Sequence, residues 1–147
     1  MKRTGSAVWQ GGLRDGRGTV STESGVLAGA QYSFGTRFEE GKGTNPEELL
    51  AAAHAGCFSM ALSKQIEDAG FKADSINTTA AVRLEKTDAG FTITKVHLEV
   101  TARVPGADAA AFQTAAANAK AGCPVSRLFN AEITLDAKLE GERAAGS

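Results

Sequence analysis

The chain has 147 residues, of which 42% are hydrophobic and 22% are charged, the composition of an ordinary globular protein with a real core. The net charge is −1 at pH 7 and the acids and bases are mixed along the chain, which argues against binding to nucleic acid or to an anionic membrane. Residues 1–6 lack the apolar segment of a signal peptide, so the expected location is the cytoplasm. Two cysteines in a reducing compartment are either inert buried thiols or a reversible redox pair, and the count alone favours the inert pair.

Turn-forming residues divide the N-terminal part of the chain into short segments. Residues 3–9 and 17–22 are predicted strands, and the glycine-rich residues 11–16 between them predict a hairpin. Residues 26–34 are a candidate third strand. Residues 36–44 are expected to form a polar loop that leads into a long helix.

This long helix is predicted from Pro46 to about Ala69. Asn45 precedes a proline and suits the N-cap, while Pro46 suits the first helical position, where its missing N–H costs nothing. Glu48 lies three residues after the N-cap, as in a capping box, and places negative charge at the positive end of the helix. Gly70 is the natural stop.

The first half of the long helix carries apolar residues on every side, a pattern that predicts burial. The apolar run is interrupted by charge at Lys64, which makes it too short to span a bilayer. One sheet can cover only one side of such a helix. We therefore expect a second protein surface, and infer a homodimer with the long helix near its centre.

The C-terminal half changes to a period of two. Residues 80–85 and 95–104 alternate apolar and polar side chains, which predicts a long antiparallel hairpin with one buried face. Residues 108–121 read as an alanine-rich helix, and residues 133–139 as a final strand.

The order of these segments predicts an α+β fold rather than alternating βαβ units. No linker divides the chain, so a single domain is expected over residues 1–140. Residues 141–147 are expected to be a disordered tail.

Cys57 is the first candidate for chemistry. Only a thiolate is a good nucleophile, and apolar burial raises the pKa of a thiol. Cys57 lies too far along the helix for the N-terminal dipole to help much. A reactive Cys57 therefore needs a cation from outside the helix, and the nearest arginine in the sequence is Arg37. Without such a cation, Cys57 is a small core residue.

Glu47 has no structural task once Glu48 is assigned to capping. It lies ten residues before Cys57, about 15 Å along one helix axis, so the two side chains of one helix cannot touch. Two roles are open to Glu47. It could act on Cys57, either from another subunit or by way of a chain-reversing loop. Alternatively, it could hold Arg37 in position by a bidentate carboxylate–guanidinium contact.

The second cysteine, Cys123, precedes Pro124, the predicted first residue of a short helix. A thiolate is stabilised at a helix start, so Cys123 is a candidate resolving thiol for Cys57. The alternative is an ordinary small residue before a proline. The sequence alone does not place the two sulfur atoms near each other.

His54 shares a helix face with Cys57, and the pair is half of a conceivable metal site. With only two histidines and two cysteines in the chain, His54 is better explained as a buried histidine. There is no phosphate-binding loop and no dinucleotide fingerprint. Ser59 and Ser126 lack the context of a nucleophile elbow.

Five segments together resemble the OsmC/Ohr family, most closely its OsmC branch. The Asn-Pro-Glu-Glu motif beginning at Asn45 and the Cys-Pro-Val-Ser motif beginning at Cys123 are specific in combination. The similarity extends to about Leu139 and implies an OsmC-like intertwined homodimer, with antiparallel sheets around long central helices and two active sites at the subunit interface. The matching segments are residues 18–25, 36–38, 43–49, 53–61 and 119–126.

The resemblance implies a cysteine-based peroxidase that reduces organic hydroperoxides, and more weakly hydrogen peroxide, to alcohols in oxidative or osmotic stress defence. By matching motif, Cys57 is similar to the peroxidatic cysteine and Cys123 to the resolving cysteine, with an intramolecular disulfide between them. Arg37 corresponds to the arginine that stabilises the thiolate, and Glu47 to the acid that orients it. In the Ohr branch the arginine comes from an earlier glycine-rich turn, which here contains Arg14.

The resemblance implies no metal, haem or flavin, and an external dithiol reductant, a small molecule or lipoylated protein. Apolar lining by residues such as Phe58 is expected to favour organic peroxides. Two other functions stay open: a non-catalytic stress protein that binds a hydrophobic small molecule between subunits, and a thiol redox sensor acting on proteins.

Overall fold

The computed structural model describes residues 1–141, and most of the expected tail at 141–147 therefore lies outside the described residues. The chain divides into two compact units, Met1–Leu49 and a second unit that begins at Leu50. Each unit is described by itself below. The single domain expected over residues 1–140 stays a prediction.

The first unit contains a three-stranded antiparallel sheet. Strands β1 (Gly5–Gln10) and β2 (Arg17–Thr22) form the predicted hairpin, and β3 (Ala30–Tyr32) pairs with β2. Strand β3 is shorter than the predicted segment 26–34, because the chain before it is still turning. The backbone of Gly29 there has a positive φ of 69°, which suits glycine and ends the turn just before the strand.

A short helix, α1 (Phe34–Phe38), replaces part of the loop that was predicted for residues 36–44. Its start is capped reciprocally. Ser33 Oγ accepts from the Thr36 N–H at 3.2 Å, and Thr36 Oγ1 accepts from the Ser33 N–H at 2.7 Å. The capping box therefore turns a polar segment into one helical turn, and Arg37 lies on it.

The long helix, α2 (Pro46–Asp68), has the predicted ends. Asn45 Oδ1 accepts from the Glu48 N–H at 2.7 Å, as an N-cap does. The Glu48 carboxylate accepts from the Thr44 hydroxyl at 2.8 Å. Gly70 follows the helix with a positive φ of 93°, the left-handed conformation of a glycine stop.

Burial of α2 is confined to one stripe in the single chain. The buried residues recur every fourth position, so they lie on one face. The expectation of burial on every side is therefore not met within one chain, and Met60 is 78% exposed. The buried stripe comprises His54, Phe58, Leu62 and Ile66, and the exposed apolar positions include Ala52, Ala53, Gly56 and Met60.

The second unit contains a sheet of order β4-β5-β6. Strands β4 (Ser75–Thr87) and β5 (Gly90–Arg103) form the predicted antiparallel hairpin. The predicted dry face of β5 is confirmed, because every alternate residue from Val96 to Ala102 is at most 1% exposed.

The sheet of the second unit corrects the expectation of purely antiparallel sheets. Strand β6 (Glu132–Leu139) pairs with β5 in parallel. Helices α3 (Ala109–Gly122) and α4 (Pro124–Leu128) lie between the two strands in the chain and return it to the starting edge. A connection of this length is what parallel pairing requires.

The core of the second unit is formed by α2, α3 and β5. Asp108 Oδ1 caps α3 by accepting from the Ala111 N–H at 2.7 Å. The inner face of α3 is mostly alanine, which lets helices approach closely. The core includes Phe58, Leu62 and Ile66 of α2, Leu98, Val100 and Ala102 of β5, Phe112, Ala115, Ala116 and Ala119 of α3, and Cys123.

Candidate active site

Both cysteines belong to the second unit, and the structure brings them together. Cys57 lies on α2 and is half-buried, while Cys123 is completely buried, and both are free thiols. Burial raises the pKa of the Cys57 thiol, and a side-chain hydrogen bond with Cys123 raises it further. A hydrogen bond from the Val125 backbone acts in the opposite direction and lowers this pKa. The net effect favours the protonated thiol.

The junction between α3 and α4 positions Cys123. Its backbone N–H donates to the Ala119 carbonyl at 2.9 Å and so completes the last turn of α3. Its extended backbone, with ψ of 126°, then redirects the chain, and Pro124 begins α4 as predicted. The Cys123 side chain makes no capping hydrogen bond at α4.

A second polar contact lies beside the two thiols. The Nε2 atom of His54 and the Oγ atom of Ser126 are 2.7 Å apart, and both side chains are buried. Burial lowers the pKa of His54, which keeps the imidazole neutral. Its Nδ1 atom is buried without a hydrogen-bond partner among the described residues.

The metal alternative for His54 finds no support in the side-chain arrangement. Within residues 1–141, no group of three or more His, Cys, Asp or Glu side chains is placed to hold a metal ion.

In the same part of the chain, no helix combines the length and the apolar character needed to cross a membrane.

Arg37 and Glu47 form a bidentate ion pair in the first unit. Arg37 Nε donates to Glu47 Oε1 at 3.0 Å, and Arg37 Nη2 donates to Glu47 Oε2 at 3.2 Å. This is one of the two roles that the sequence offered for Glu47. The Glu47 side chain is 12% exposed and that of Arg37 is 40% exposed. The fork geometry fixes the plane of the guanidinium and directs its Nη1 edge away from Glu47.

Arg14 also belongs to the first unit, in the turn between β1 and β2. Its guanidinium lies over the Phe34 ring, 4.6 Å from the centroid. This cation–π contact orients Arg14 less strictly than two hydrogen bonds orient Arg37.

A small cavity of about 240 Å³ in the first unit has Arg37 in its wall. Aromatic side chains supply most of its other surface. Phe58, the residue expected to line a peroxide site, is instead fully buried in the core of the second unit. The cavity is lined by Trp9, Leu13, Tyr32, Ser33, Phe34, Arg37 and Phe38.

Ser126 is the residue of this region whose contact the sequence analysis missed. It was considered only as a nucleophile, and rejected. A signal was nonetheless present: His54 lies three residues before Cys57, and Ser126 lies three residues after Cys123. His54 and Cys57 share one face of α2, while Cys123 directly precedes α4 and Ser126 lies in its first turn.

Fold and site together define an α+β protein with two thiols in contact, one half-buried and one fully buried. A family model described as "OsmC-like protein" matches residues 39–138. The chain is 58% identical over 140 residues to the peroxiredoxin OsmC of Escherichia coli, covering 95% of this chain and 98% of that protein. It is 30% identical over 129 residues to the organic hydroperoxide resistance protein OhrB of Bacillus subtilis, covering 86% and 91%. The chain belongs to the OsmC family.

The fold agrees with this assignment. The solved structure of an OsmC-like protein of unknown function from Vibrio cholerae superposes with a TM-score of 0.71. The superposition covers 93% of this chain and 99% of the other, at 15% sequence identity. At that identity the likeness concerns the fold alone, which is the OsmC/Ohr-like α+β arrangement.

Proposed function

We propose that this enzyme is a thiol peroxidase that reduces organic hydroperoxides with Cys57 as the attacking group. The observation that carries the proposal is the contact between Cys57 and Cys123 in a chain 58% identical to a peroxiredoxin. A half-buried thiol beside a fully buried one provides an attacking sulfur that substrate can reach and a resolving sulfur that is protected.

The reaction proceeds in three steps that use both thiols and no prosthetic group. The Cys57 thiolate attacks the distal peroxide oxygen, the O–O bond breaks, and the departing alkoxide takes a proton to become the alcohol. Cys57 is now a sulfenic acid. The Cys123 thiol condenses with it, forming the disulfide and releasing water. An external dithiol, of the lipoyl type or on a lipoylated protein, reduces the disulfide by exchange and is itself oxidised.

Arg37 supplies the positive charge that this cycle requires. Burial and Cys123 both raise the pKa of Cys57, so a nearby cation is needed to populate its thiolate at neutral pH. Arg37 is permanently charged, and the paired oxygens of Glu47 hold it in one orientation. In the active assembly, the Nη1 edge stabilises the thiolate and polarises the bound peroxide.

The preference for organic over inorganic peroxide follows from the cavity in the first unit. Its aromatic walls offer an apolar surface to a hydrocarbon group, and Arg37 lies at the same cavity. The relative from Bacillus subtilis is named for resistance to organic hydroperoxides.

The functional assembly is a homodimer with α2 near its centre. An exposed face of α2 carries Ala52, Ala53, Gly56 and Met60, and apolar surface of this kind is usually covered by another protein surface. A cycle that needs both thiols regenerated is compatible with the reducing cytoplasm.

Turnover of cumene hydroperoxide with a dithiol reductant tests the function. Wild type is expected to turn over continuously, and Cys57→Ser to lose all activity above background. In a parallel reaction without the reductant, Cys123→Ser is expected to consume about one equivalent of peroxide and to stop as a sulfenic acid. Glu47→Gln should lower the rate about tenfold by loosening Arg37, while the neighbouring Glu48→Gln should not.

Intact mass after one equivalent of peroxide separates the alternatives. A loss of two hydrogens in wild type indicates the internal disulfide. Equally slow peroxide consumption by wild type and Cys57→Ser would contradict the peroxidase activity. It would favour the non-catalytic protein that binds a hydrophobic small molecule. A disulfide formed without multiple turnovers would indicate a redox sensor.

A further inference from the structure

Two contacts join helix α2 to the segment that contains α4. Cys57 faces Cys123, and His54 faces Ser126. On α2, His54 precedes Cys57 by three residues. On the other segment the order is reversed, since Ser126 follows Cys123 by three residues. The thiol contact and the His54–Ser126 hydrogen bond therefore form two rungs between the same two elements, separated by about one helical turn.

The two rungs differ in chemistry. The thiol rung opens and closes in every cycle of the proposed reaction. The His54–Ser126 rung contains no sulfur and takes no part in the thiol chemistry. It is shielded from solvent, since His54 is completely buried and Ser126 is 8% exposed. A 2.7 Å hydrogen bond in such surroundings is costly to break.

His54 also occupies an unusual place in the core. It heads the buried stripe of α2, in which Phe58, Leu62 and Ile66 are all apolar. A buried polar group ordinarily satisfies its hydrogen-bonding atoms, yet Nδ1 has no partner among residues 1–141. An apolar side chain there would avoid this cost. Its Nε2 atom is hydrogen-bonded to Ser126, on the helix that follows Cys123, and its ring packs against Phe129 just after that helix.

We propose that His54 and Ser126 are a positioning pair that holds α4 against α2, so that Cys123 stays opposite Cys57 while the thiols are reduced or Cys57 is a sulfenic acid. This inference rests on the proposed function for its role in the cycle. Its physical content is independent of turnover: the hydrogen bond restricts Cys123 before the disulfide forms and so raises the effective concentration of one thiol at the other.

The expected consequence is a competition at the sulfenic acid. Condensation with Cys123 removes the sulfenic acid, whereas a second peroxide converts it irreversibly to sulfinic acid. A substitution that lets α4 move away from α2 therefore slows condensation with Cys123 and leaves the rate of oxidation to sulfinic acid unchanged. The His54–Ser126 bond therefore protects Cys57 from overoxidation.

The primary test is a redox equilibrium that needs no peroxidase activity. Wild type, Ser126→Ala and Ser126→Thr are equilibrated in glutathione buffers, quenched with acid, and scored for disulfide by intact mass. Ser126→Ala is expected to lower the equilibrium constant for the disulfide by about fivefold, the effect of one lost hydrogen bond. Ser126→Thr retains a hydroxyl and is expected to restore most of it.

The matched control is Ser59→Ala. Ser59 is also on α2, and its Oγ atom is 2.7 Å from Thr78 Oγ1, so the substitution removes an equally short bond that does not reach α4. Its disulfide equilibrium should equal that of wild type even if its melting temperature falls as far as that of Ser126→Ala. A purely structural role for Ser126 would make the two variants behave alike, and that result overturns the proposal.

A second measurement places the effect in the cycle. At increasing cumene hydroperoxide, Ser126→Ala should accumulate Cys57 with two added oxygens at about fivefold lower peroxide than wild type or Ser59→Ala. If wild-type Cys57 is not oxidised at all, the proposed function fails, and the glutathione result alone then decides the positioning pair. If Cys57 is oxidised but both variants match wild type in both assays, the positioning pair is excluded and the peroxidase stands.

Discussion

At the scale of single residues, the site contains a conflict between burial and ionisation. The surroundings of Cys57 favour the thiol, because burial and Cys123 raise its pKa more than the Val125 backbone lowers it. Arg37, near the start of α2, is a cation held in one orientation by both oxygens of Glu47. The proposed chemistry requires this guanidinium to reverse the effect of burial in the active assembly.

Alkylation of Cys57 by iodoacetamide measures this effect without peroxide. Arg37→Ala is expected to slow the reaction about tenfold or more at pH 7, because an adjacent cation lowers the pKa of an acid by at least about one unit. Peptide mass mapping assigns the alkylated residue.

The matched control is Arg14→Ala, which removes the same charge from the same unit. Arg14 stacks on Phe34 rather than pairing with Glu47, so its loss is expected to leave the alkylation rate unchanged. The opposite result, with Arg14→Ala slow and Arg37→Ala normal, would transfer the activating role to the turn between β1 and β2.

At the scale of the elements, a helix or strand was predicted correctly from the sequence where the residues that determine it lie close together in the chain. The alternation along β5 was predictable because one face of the strand is buried and the other is not, which fixes every second residue. The start of α2 was predictable because its capping residue, Asn45, bonds a backbone N–H only three residues away. Helix α1 was missed because its signal is a single Ser33–Thr36 box within polar residues. The parallel direction of β6 depends on the path of α3 and α4, and this path cannot be inferred from the residues of the strand itself.

The site shows the same dependence on distance along the chain. Cys57 and Glu47 stand out locally as a thiol in an apolar helix and an acid without a capping task. The His54–Ser126 bond joins residues 72 positions apart, and only the folded chain brings them together. The specific roles of the four site residues were implied by resemblance to a family, and these roles remain proposals.

The packing of α4 on α2 should weaken in acid. Burial lowers the pKa of His54 below its ordinary value of 6.5, so between those two pKa values the unfolded chain binds a proton that the folded chain does not. Stability from this group is therefore complete above about pH 6.5 and falls as the pH drops towards the folded-state pKa.

Urea unfolding of wild type and His54→Gln between pH 8 and 4.5 measures this contribution. Glutamine has no proton to gain, so the difference in unfolding free energy between the two proteins is expected to be constant above pH 7 and to shrink below about pH 6.5. A difference that stays constant down to pH 4.5 would mean that His54 does not titrate differently in the folded and unfolded states.

At the scale of the whole molecule, one chain leaves apolar surface on α2 uncovered. Met60 is 78% exposed in the middle of a helix whose opposite stripe forms the core. The homodimer proposed here would cover this face.

Met60→Glu is expected to weaken the dimer at least about tenfold, because a buried carboxylate without a partner is strongly unfavourable. Sedimentation velocity over a range of micromolar concentrations measures this change. The control, Val26→Glu, places the same charge at an 86% exposed residue in the turn before β3 and is expected to sediment as wild type. A wild type that sediments as a monomer at every concentration would contradict the proposed assembly.

The unequal accessibility of the two sulfur atoms has a consequence for regeneration. Cys57 is partly open to solvent and Cys123 is completely enclosed. In the proposed cycle, an incoming reductant is therefore expected to form its mixed disulfide on Cys57, with Cys123 departing as the leaving group. The hidden sulfur is released first and returns to its enclosed position, while the exposed sulfur stays bound to the reductant until the second thiol of that reductant displaces it.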